Sequence, residues 1–328
     1  MAALTMIQAI NLALHQEMEQ DDGVIVLGED VGVDGGVFRV TDGLIEKFGK
    51  ERVMDTPLAE SAICAVSIGM AVYGLRPVCE IQFSGFSYMC LHQMENHAVR
   101  LRGRSGGRFH VPMVLRAPYG GGVRALEHHS ESKEAYYAHT PGLKTVIPSS
   151  PRNARALLVS AIRDPDPVIF YEPKAIYRAF REEVPDEEET IPLGKAEVVQ
   201  EGKDLTMISY GAMMRPTIKA AEELKKSDGV EPEVIDLLTI SPLDDKLLNQ
   251  SVQKTGRAVI VHEAHRSFGP GAEVASRLVE KSFLYLEAPI ARVTGFDVII
   301  PLFQRENDYL PGVHRILLAA RKTLKFVA

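Results

Sequence analysis

The sequence predicts an α/β protein that begins with a mostly parallel, doubly wound sheet and continues into a second α/β unit. First, short apolar runs alternate with stretches of helical periodicity along the whole chain. Second, the length of 328 residues suits two domains of ordinary size. Third, an acidic segment that contains Pro185 interrupts the alternation at 181–189 and reads as a solvated linker.

Apolar runs in the first half predict strands, and the periodic stretches between them predict helices. The predicted strands are 24–27, a loop or short strand at 53–57, 78–83, 111–117, 145–148 and 168–171. The predicted helices are one capped by Thr5 and running to about Glu19, 41–48, one that starts near Pro57, 86–99 and 152–163. In such open sheets, ligands bind outside the carboxyl ends of the strands.

The second half repeats the alternation after the acidic linker. Its predicted strands are 205–209, 233–236, 258–261 and 290–293, and its predicted helices are 217–226, 244–254, 271–281 and 312–323. We therefore place the domains at 1–190 and 191–328.

Composition excludes several classes of function. The net charge of −7 without a block of basic residues argues against nucleic acid as a partner. No apolar run approaches the length of a membrane span, and no signal or transit peptide is recognisable, so we expect a cytoplasmic protein, or a matrix protein if a transit peptide has been removed. Three widely spaced cysteines indicate buried free thiols and no disulfide framework.

Glu60 is a candidate site residue because it falls in the first turn of a predicted helix. Two interpretations remain open from the residues alone. The carboxylate could stabilise the positive end of the helix, which is worth about 0.3–1 kcal/mol. Alternatively, it could face a buried ligand nitrogen and share a proton with it.

His128 and His129 follow the glycine-rich loop Gly120–Gly122 at a predicted strand end. Adjacent histidines make a poor chelating pair, so acid–base work or a structural loop histidine is favoured over metal binding. The glycines match no phosphate-binding motif and indicate a backbone that passes close to another group. The polar run 262–265 lacks metalloprotease spacing and indicates a structural or interface role.

Separated motifs occur in order along nearly the whole chain: 27–32 (LGEDVG), 55–60 (DTPLAE), 74–77 (GLRP), 80–83 (EIQF), 129–130 (HS) with 141–144 (PGLK), 160–164 (SAIRD) and 287–289 (EAP). Together they resemble the beta subunits of thiamine-diphosphate-dependent 2-oxo acid dehydrogenases, of the pyruvate and branched-chain types. The resemblance implies a pyrimidine-binding domain that binds thiamine diphosphate, followed by a transketolase C-terminal-type α/β domain. It also implies oxidative decarboxylation of a 2-oxo acid and reductive acylation of a lipoyl domain.

The resemblance assigns roles to individual residues. Glu60 aligns with the acid that hydrogen-bonds the aminopyrimidine ring, and Glu29 with a pocket acid that relays protons to it. Phe86 aligns with the aromatic residue that packs on this ring, and Gln82 lines the same pocket. His129 aligns with the family's catalytic histidine, while His128 has no assigned role. Backbone oxygens of Ala161 and Asp164 align with a site for a monovalent cation, K⁺, in some relatives.

Half of a complete site is missing from this sequence. Full thiamine-diphosphate sites need a Gly-Asp-Gly segment followed by Asn-Asn to hold magnesium and diphosphate, and neither occurs here. The family's assembly of two alpha and two beta chains implies that an alpha subunit supplies this half, and that a lipoyl acyltransferase core is a further partner. We expect the isolated chain to be inactive. The alternatives are a non-catalytic assembly subunit and a self-contained transketolase-like enzyme.

Overall fold

The computed structural model describes residues 2–327, whose strands form sheets of seven, five and two strands. The strands are β1 (Ala2–Leu4), β2 (Val24–Gly28), β3 (Val53–Asp55), β4 (Arg76–Glu80), β5 (Val114–Tyr119), β6 (Lys144–Val146), β7 (Val168–Pro173), β8 (Glu182–Val184), β9 (Glu197–Gln200), β10 (Leu205–Ser209), β11 (Pro232–Asp236), β12 (Thr239–Ser241), β13 (Ala258–Val261) and β14 (Ala291–Val293). The alternation that predicted an α/β fold is confirmed.

Helices connect most of these strands. They are α1 (Met6–Gln20), α2 (Leu44–Phe48), α3 (Glu60–Val72), α4 (Leu91–Gln93), α5 (Val99–Arg104), α6 (Glu134–Ala138), α7 (Pro151–Arg163), α8 (Met214–Asp228), α9 (Asp245–Thr255), α10 (Pro270–Ser282), α11 (Glu306–Tyr309) and α12 (Val313–Leu324). Within residues 2–327, no helix has both the length and the apolar character needed to cross a bilayer.

The seven-stranded sheet has the order β12-β6-β7-β5-β4-β2-β3, and only β12 runs antiparallel to its neighbour. The parallel strands all end at one edge, so the loops after β2, β3, β4, β5 and β7 come together there. The order reverses direction along the sheet, which is the arrangement that leaves a crevice for ligands at the carboxyl ends.

Local sequence signals explain how the first helices cover this sheet. Thr5 caps α1, because its hydroxyl accepts from the Gln8 amide at 3.4 Å while the Gln8 side chain accepts from the Thr5 amide at 3.0 Å. The apolar face of α1 packs with α7 on one side of the sheet, and α3 packs on the other. Burial on both faces is why β2 reads as an unbroken apolar run.

Three of the boundaries that differ from the sequence prediction concern candidate site residues. The helix expected near Pro57 begins at Glu60, although Glu60 does lie in its first turn as predicted. The strand expected at 78–83 ends at Glu80, so Gln82 belongs to a loop. The single helix expected at 86–99 is a 3₁₀ turn (Phe86–Cys90), the short α4, a π turn (Met94–Ala98) and α5.

Two of the strand pairings that were not predicted from the sequence join distant parts of the chain. β12 belongs to the second half of the chain by sequence, yet it pairs with β6 at the edge of the first sheet. Next to it, the Ile147 amide donates to the Leu238 carbonyl at 2.9 Å. β1 and β8 form the small antiparallel sheet. The proposed boundary between residues 190 and 191 therefore separates the sequence patterns but cuts through shared hydrogen bonding.

Cys64, Cys79 and Cys90 are free and buried, as the sequence predicted. Burial within apolar surroundings raises the pKa of the Cys79 thiol. A thiol of this kind is a packing group and not a nucleophile.

His262 directly follows β13 and packs against the start of α10. Its ring is fully buried, and Nε2 accepts from the Gly271 amide at 3.2 Å. A side chain at Gly271 would start only 2.6 Å from Nε2, so the glycine is required for this close approach. Burial and the nearby Arg292 lower the pKa of His262 to about 3 from 6.5. The structural role expected for this polar run is borne out for His262.

We expect the free energy of unfolding to depend less steeply on pH in His262→Gln than in the wild-type chain. The pKa of His262 is lower in the folded chain than in the unfolded chain, so its stabilising effect is complete above 6.5 and is lost as pH falls toward 3. In this window the wild-type chain should lose up to about 1.4 kcal/mol more per pH unit than the variant. Urea unfolding at several pH values measures this slope. His314→Gln, on the exposed surface of α12, is the control, and equal slopes for wild type and His262→Gln would contradict the assignment.

Candidate active site

The predicted site residues lie on loops that leave the carboxyl edge of the first sheet. Glu29 follows β2, Glu60 follows β3, Gln82 and Phe86 follow β4, and His129 follows β5. A parallel sheet brings these loops together although their residues are up to a hundred positions apart in the chain. The sequence-based placement of a ligand site at this edge therefore agrees with the topology.

Glu60 opens α3 with a half-buried side chain that has no hydrogen-bond or ion-pair partner within residues 2–327. Its carbonyl accepts from the Cys90 thiol at 3.2 Å, which ties the start of α3 to the 3₁₀ turn that carries Phe86. The side chain lines a surface cavity of about 480 Å³ with Leu58, Met89 and others. Glu60 is thus held by its backbone, and its carboxylate is free to accept a ligand.

Glu29 is an electrostatic neighbour of Glu60. Burial raises the pKa of Glu29, and the charges of Glu60 and then Asp30 raise it further. Gln82 lies beside the same loop, since its amide donates to Asp30 Oδ2 at 3.0 Å. Two carboxyl groups with like charges repel each other and favour a shared proton, which suits a relay between Glu29 and Glu60.

Phe86 and His129 belong to one cluster of aromatic rings. The His129 ring lies edge-on to Phe86, with 5.3 Å between centroids, and to Phe83, with 4.3 Å. Phe83 and Phe86 also meet edge to face at 5.9 Å, and Phe38 contacts Phe83 from the other side. The rings fix the plane of the imidazole at the sheet edge.

His129 is neutral at physiological pH. Burial lowers its pKa, and the charge of Lys174 and then the neighbouring His128 lower it further, against a smaller opposing effect of Glu127. Its Nδ1 atom is buried without a hydrogen-bond partner in the described part of the chain. A neutral imidazole with an unused nitrogen can accept or donate a proton to a bound molecule.

Two residues of this cluster, Lys174 and Phe83, received no role from the sequence. Lys174 directly follows β7 at the same edge, its ammonium donates to the Gly120 carbonyl, and it lies 5.8 Å from the centre of the Phe83 ring. Burial lowers the pKa of Lys174 to about 8. Position after a predicted strand could have indicated Lys174, and Phe83 stands in a motif in which only Gln82 received a role.

A buried ion cluster lies beneath the loops that carry the site residues. Arg116 on β5 lies between Glu80 on β4, at 2.7 Å, and Glu172 on β7, which it binds through two nitrogens at 2.6 and 3.0 Å. The Tyr177 hydroxyl donates to Glu172 at 2.6 Å. Burial raises the pKa of Glu80, although the Arg116 charge opposes this. The cluster joins three central strands just below the loops that carry the site.

Ala161 and Asp164 lie elsewhere, at the end of α7 near the opposite edge of the sheet. The Ala161 carbonyl accepts from the Asp164 amide at 3.3 Å, and the Asp164 carboxylate binds the Lys144 ammonium at 2.6 Å. The Arg76 guanidinium donates to the Ile162 carbonyl at 2.9 Å. The cation site at this position stays a prediction. Across residues 2–327, side chains of His, Cys, Asp and Glu do not gather into a metal-binding group.

A larger cavity of about 880 Å³ lies between the two halves, lined by Tyr136, His265 and Phe268 among others. None of the predicted site residues lines it. We therefore place the site at the sheet edge, where a partnerless carboxylate, a ring face and an unused imidazole nitrogen occur together. The first two of these groups fit an aminopyrimidine ring, which offers ring nitrogens to Glu60 and a flat face to Phe86.

Comparison with known proteins agrees with the architecture. Residues 2–179 match the family described as transketolase, pyrimidine binding domain, and residues 194–316 match the transketolase C-terminal domain. A solved structure described as a split gene transketolase, inactive beta4 tetramer, has a TM-score of 0.81 at 22% identity and covers 98% of this chain and 99% of its own. At this identity it supports the fold alone.

Similarity in sequence is much closer to another set of proteins. Pyruvate dehydrogenase E1 component subunit beta of Staphylococcus epidermidis is 53% identical over 99% of this chain and 100% of its own length. The subunit of the same description from Bacillus subtilis is 51% identical with the same coverage, and that from Acholeplasma laidlawii is 50% identical over 99% of both chains.

Proposed function

We propose a function from one premise: this chain belongs to the family of pyruvate dehydrogenase E1 component beta subunits. It acts with an alpha subunit in the thiamine-diphosphate-dependent, oxidative decarboxylation of a 2-oxo acid and transfers the acyl group to a lipoyl domain. Pyruvate is the substrate that its relatives' descriptions favour, and branched-chain 2-oxo acids are the alternative. The observation that carries the proposal is the partnerless Glu60 carboxylate on the loop side of the same sheet edge that carries the adjoining rings of Phe86 and His129.

Thiamine diphosphate, when bound, supplies the electron sink that a 2-oxo acid needs to lose carbon dioxide. Glu60 then holds a pyrimidine nitrogen by a hydrogen bond and shares its proton, and Phe86 packs against the ring. Glu29, whose pKa is raised by burial and by the neighbouring Glu60, exchanges protons with Glu60. Gln82 lines the same pocket from the loop after β4.

His129 acts as the proton-transfer group of this site. Its lowered pKa keeps the ring neutral, so one nitrogen can accept a proton while the other donates. Reductive acylation of a lipoyl disulfide requires such a group, because the S–S bond breaks as one sulfur takes the acyl group and the released sulfur needs a proton.

The chain contributes half of the site. Gly-Asp-Gly and Asn-Asn, which would hold Mg²⁺ and the diphosphate, are missing from its sequence. In our proposal they come from an alpha subunit, in an assembly of two alpha and two beta chains that also contacts a lipoyl acyltransferase core. The site for K⁺ at the backbone of Ala161 and Asp164 is a separate part of the proposal. Those residues lie at the end of α7, whereas Glu60 opens α3.

Co-expression with the candidate alpha subunit tests the proposal. Decarboxylation of pyruvate and of a branched-chain 2-oxo acid is measured with thiamine diphosphate and magnesium, for each chain alone and for the pair. We expect activity only in the pair, and the preferred substrate identifies the complex. Activity of this chain alone would refute the half-site and favour a self-contained enzyme. A stable but inactive pair would favour the assembly subunit.

A further inference from the structure

Two carboxylates from the second half of the chain hold the loop that leads to His129. We call residues 120–124 the glycine loop. The Gly121 amide donates to Glu263 Oε2 at 2.7 Å. The amides of Gly122 and Arg124 donate to the two oxygens of Glu306 at 3.0 and 2.9 Å. Glu263 follows β13 and Glu306 opens α11, so both reach the loop from the second half.

The glycine loop and Glu263 are in close contact. Gly120 has φ +77°, and a Cβ atom there would lie 2.6 Å from both oxygens of Glu263. The glycine predicted to let the backbone pass close to another group is therefore explained by Glu263. Both carboxylates are buried, and burial raises the pKa of Glu263 to about 7. Burying such groups costs free energy unless hydrogen bonds compensate, and the loop amides provide those bonds.

The glycine loop is the first part of a closed segment that carries the imidazole. The Gly120 amide donates to the Glu131 carbonyl at 3.2 Å, so residues 120–131 form one closed loop. The Ser84 hydroxyl donates to the same carbonyl at 2.6 Å. His129 lies inside this loop, in the 3₁₀ turn Glu127–His129. Whatever fixes Gly121, Gly122 and Arg124 thus fixes one end of the segment that presents His129.

We propose that Glu263 and Glu306 are positioning residues for His129, acting through the glycine loop. Through them, the position of His129 in the first half of the chain depends on the fold of the second half. The inference rests on the role proposed above for His129. Both carboxylates are buried and bonded to the loop amides, so removing one should impair the step that uses His129 and spare the step that depends on Glu60.

Glu306 is the residue to vary, because each of its oxygens accepts one loop amide. Glu306→Ala removes both hydrogen bonds, whereas Glu306→Gln keeps one acceptor and should have a smaller effect. Asp308→Asn is the matched control on the same short helix, where the side chain is exposed and pairs only weakly with Arg305. His129→Ala gives the reference for loss of the imidazole.

Two partial reactions of the assembled alpha–beta enzyme provide the readout. Decarboxylation of pyruvate is followed with 2,6-dichlorophenolindophenol as electron acceptor, and reductive acylation is followed with a free lipoyl domain. We expect Glu306→Ala to slow acylation by about 10²-fold and to change decarboxylation little. Glu306→Gln should fall between this variant and the unchanged Asp308→Asn. Glu306→Ala combined with His129→Ala should be no slower than His129→Ala alone.

Hydrogen exchange of the assembled enzyme separates the possible failures. Faster exchange of the 120–124 amides in Glu306→Ala, together with selective loss of acylation, supports the proposal. If His129→Ala selectively loses acylation and Glu306→Ala does not, the positioning role alone is overturned. Normal acylation by His129→Ala refutes the role of His129, and the positioning role falls with it. Equal loss of both partial reactions in Glu306→Ala would show general destabilisation and would also overturn it.

Discussion

Replacement of Glu60 by alanine is expected to reduce decarboxylation by the alpha–beta pair by about 10²–10⁴-fold. The carboxylate has no protein partner in residues 2–327, so its loss removes a contact to the bound ring and breaks no hydrogen bond within the chain. Folding and assembly should therefore be nearly unchanged. Steady-state decarboxylation at saturating cofactor, with circular dichroism and gel filtration of the pair, measures both expectations.

Two further variants make this result specific. Glu60→Gln can hydrogen-bond a ring nitrogen but cannot share a proton, so it should remain nearly as slow as Glu60→Ala. Glu46→Gln removes a carboxylate from the first turn of α2, where it is exposed, and controls for the effect of charge at a helix start. If Glu60→Ala loses stability and retains turnover, the helix-stabilising interpretation of Glu60 is correct and its proposed role in the reaction is wrong.

Replacement of Arg116 by methionine is expected to destabilise the first domain by about 3–5 kcal/mol. The change leaves Glu80 and Glu172 facing each other in the interior without the cation that both contact. One carboxyl must then take up a proton or the strands must separate. Urea unfolding of the chain measures the loss, which should be smaller at lower pH because protonation relieves the repulsion.

A charge-free variant tests the reason for this loss. Arg116→Met combined with Glu80→Gln and Glu172→Gln removes the repulsion and should recover part of the stability. Arg152→Met breaks an exposed pair with Glu189 and should leave the unfolding midpoint almost unchanged. A triple variant that is less stable than Arg116→Met alone would show that packing around Arg116, and not the unpaired charge, determines the loss.

Sequence patterns predicted the buried strands well because burial on both faces leaves an uninterrupted apolar run. The strands at 205–209 and 258–261 agree with β10 and β13 to the residue. A helix cap was equally informative at Thr5, whose side chain accepts from the Gln8 amide at the start of α1 as predicted. These signals are local, so a single sequence contains them.

The elements that were missed depend on partners distant in the chain. β12 has only three residues, and its pairing with β6 cannot be recognised from its own sequence. The stretch 86–99 has helical composition, yet it changes between 3₁₀, α and π hydrogen bonding where it packs against α3. Turns of this type depend on tertiary contacts, which override the preference of the segment.

The site shows the same division. Glu60 and His129 were found because motifs and strand ends indicate them. Lys174 and Glu306 were not given roles, and Glu263 was indicated only within a run expected to be structural. Their contacts with the glycine loop join parts of the chain that only the folded structure brings together. The roles of the predicted residues remain proposals that the variants above test.

The pairing of β12 with β6 limits how this protein can evolve by exchange of modules. A gene split between residues 190 and 191 would yield a first fragment whose sheet ends in an uncovered β6. Uncovered edges of this kind recruit strands from other chains and aggregate. Recombination with a distant relative would likewise have to preserve a strand at Thr239–Ser241 that matches the foreign β6. We therefore expect the two halves to be inherited as one unit, although each resembles a separate domain.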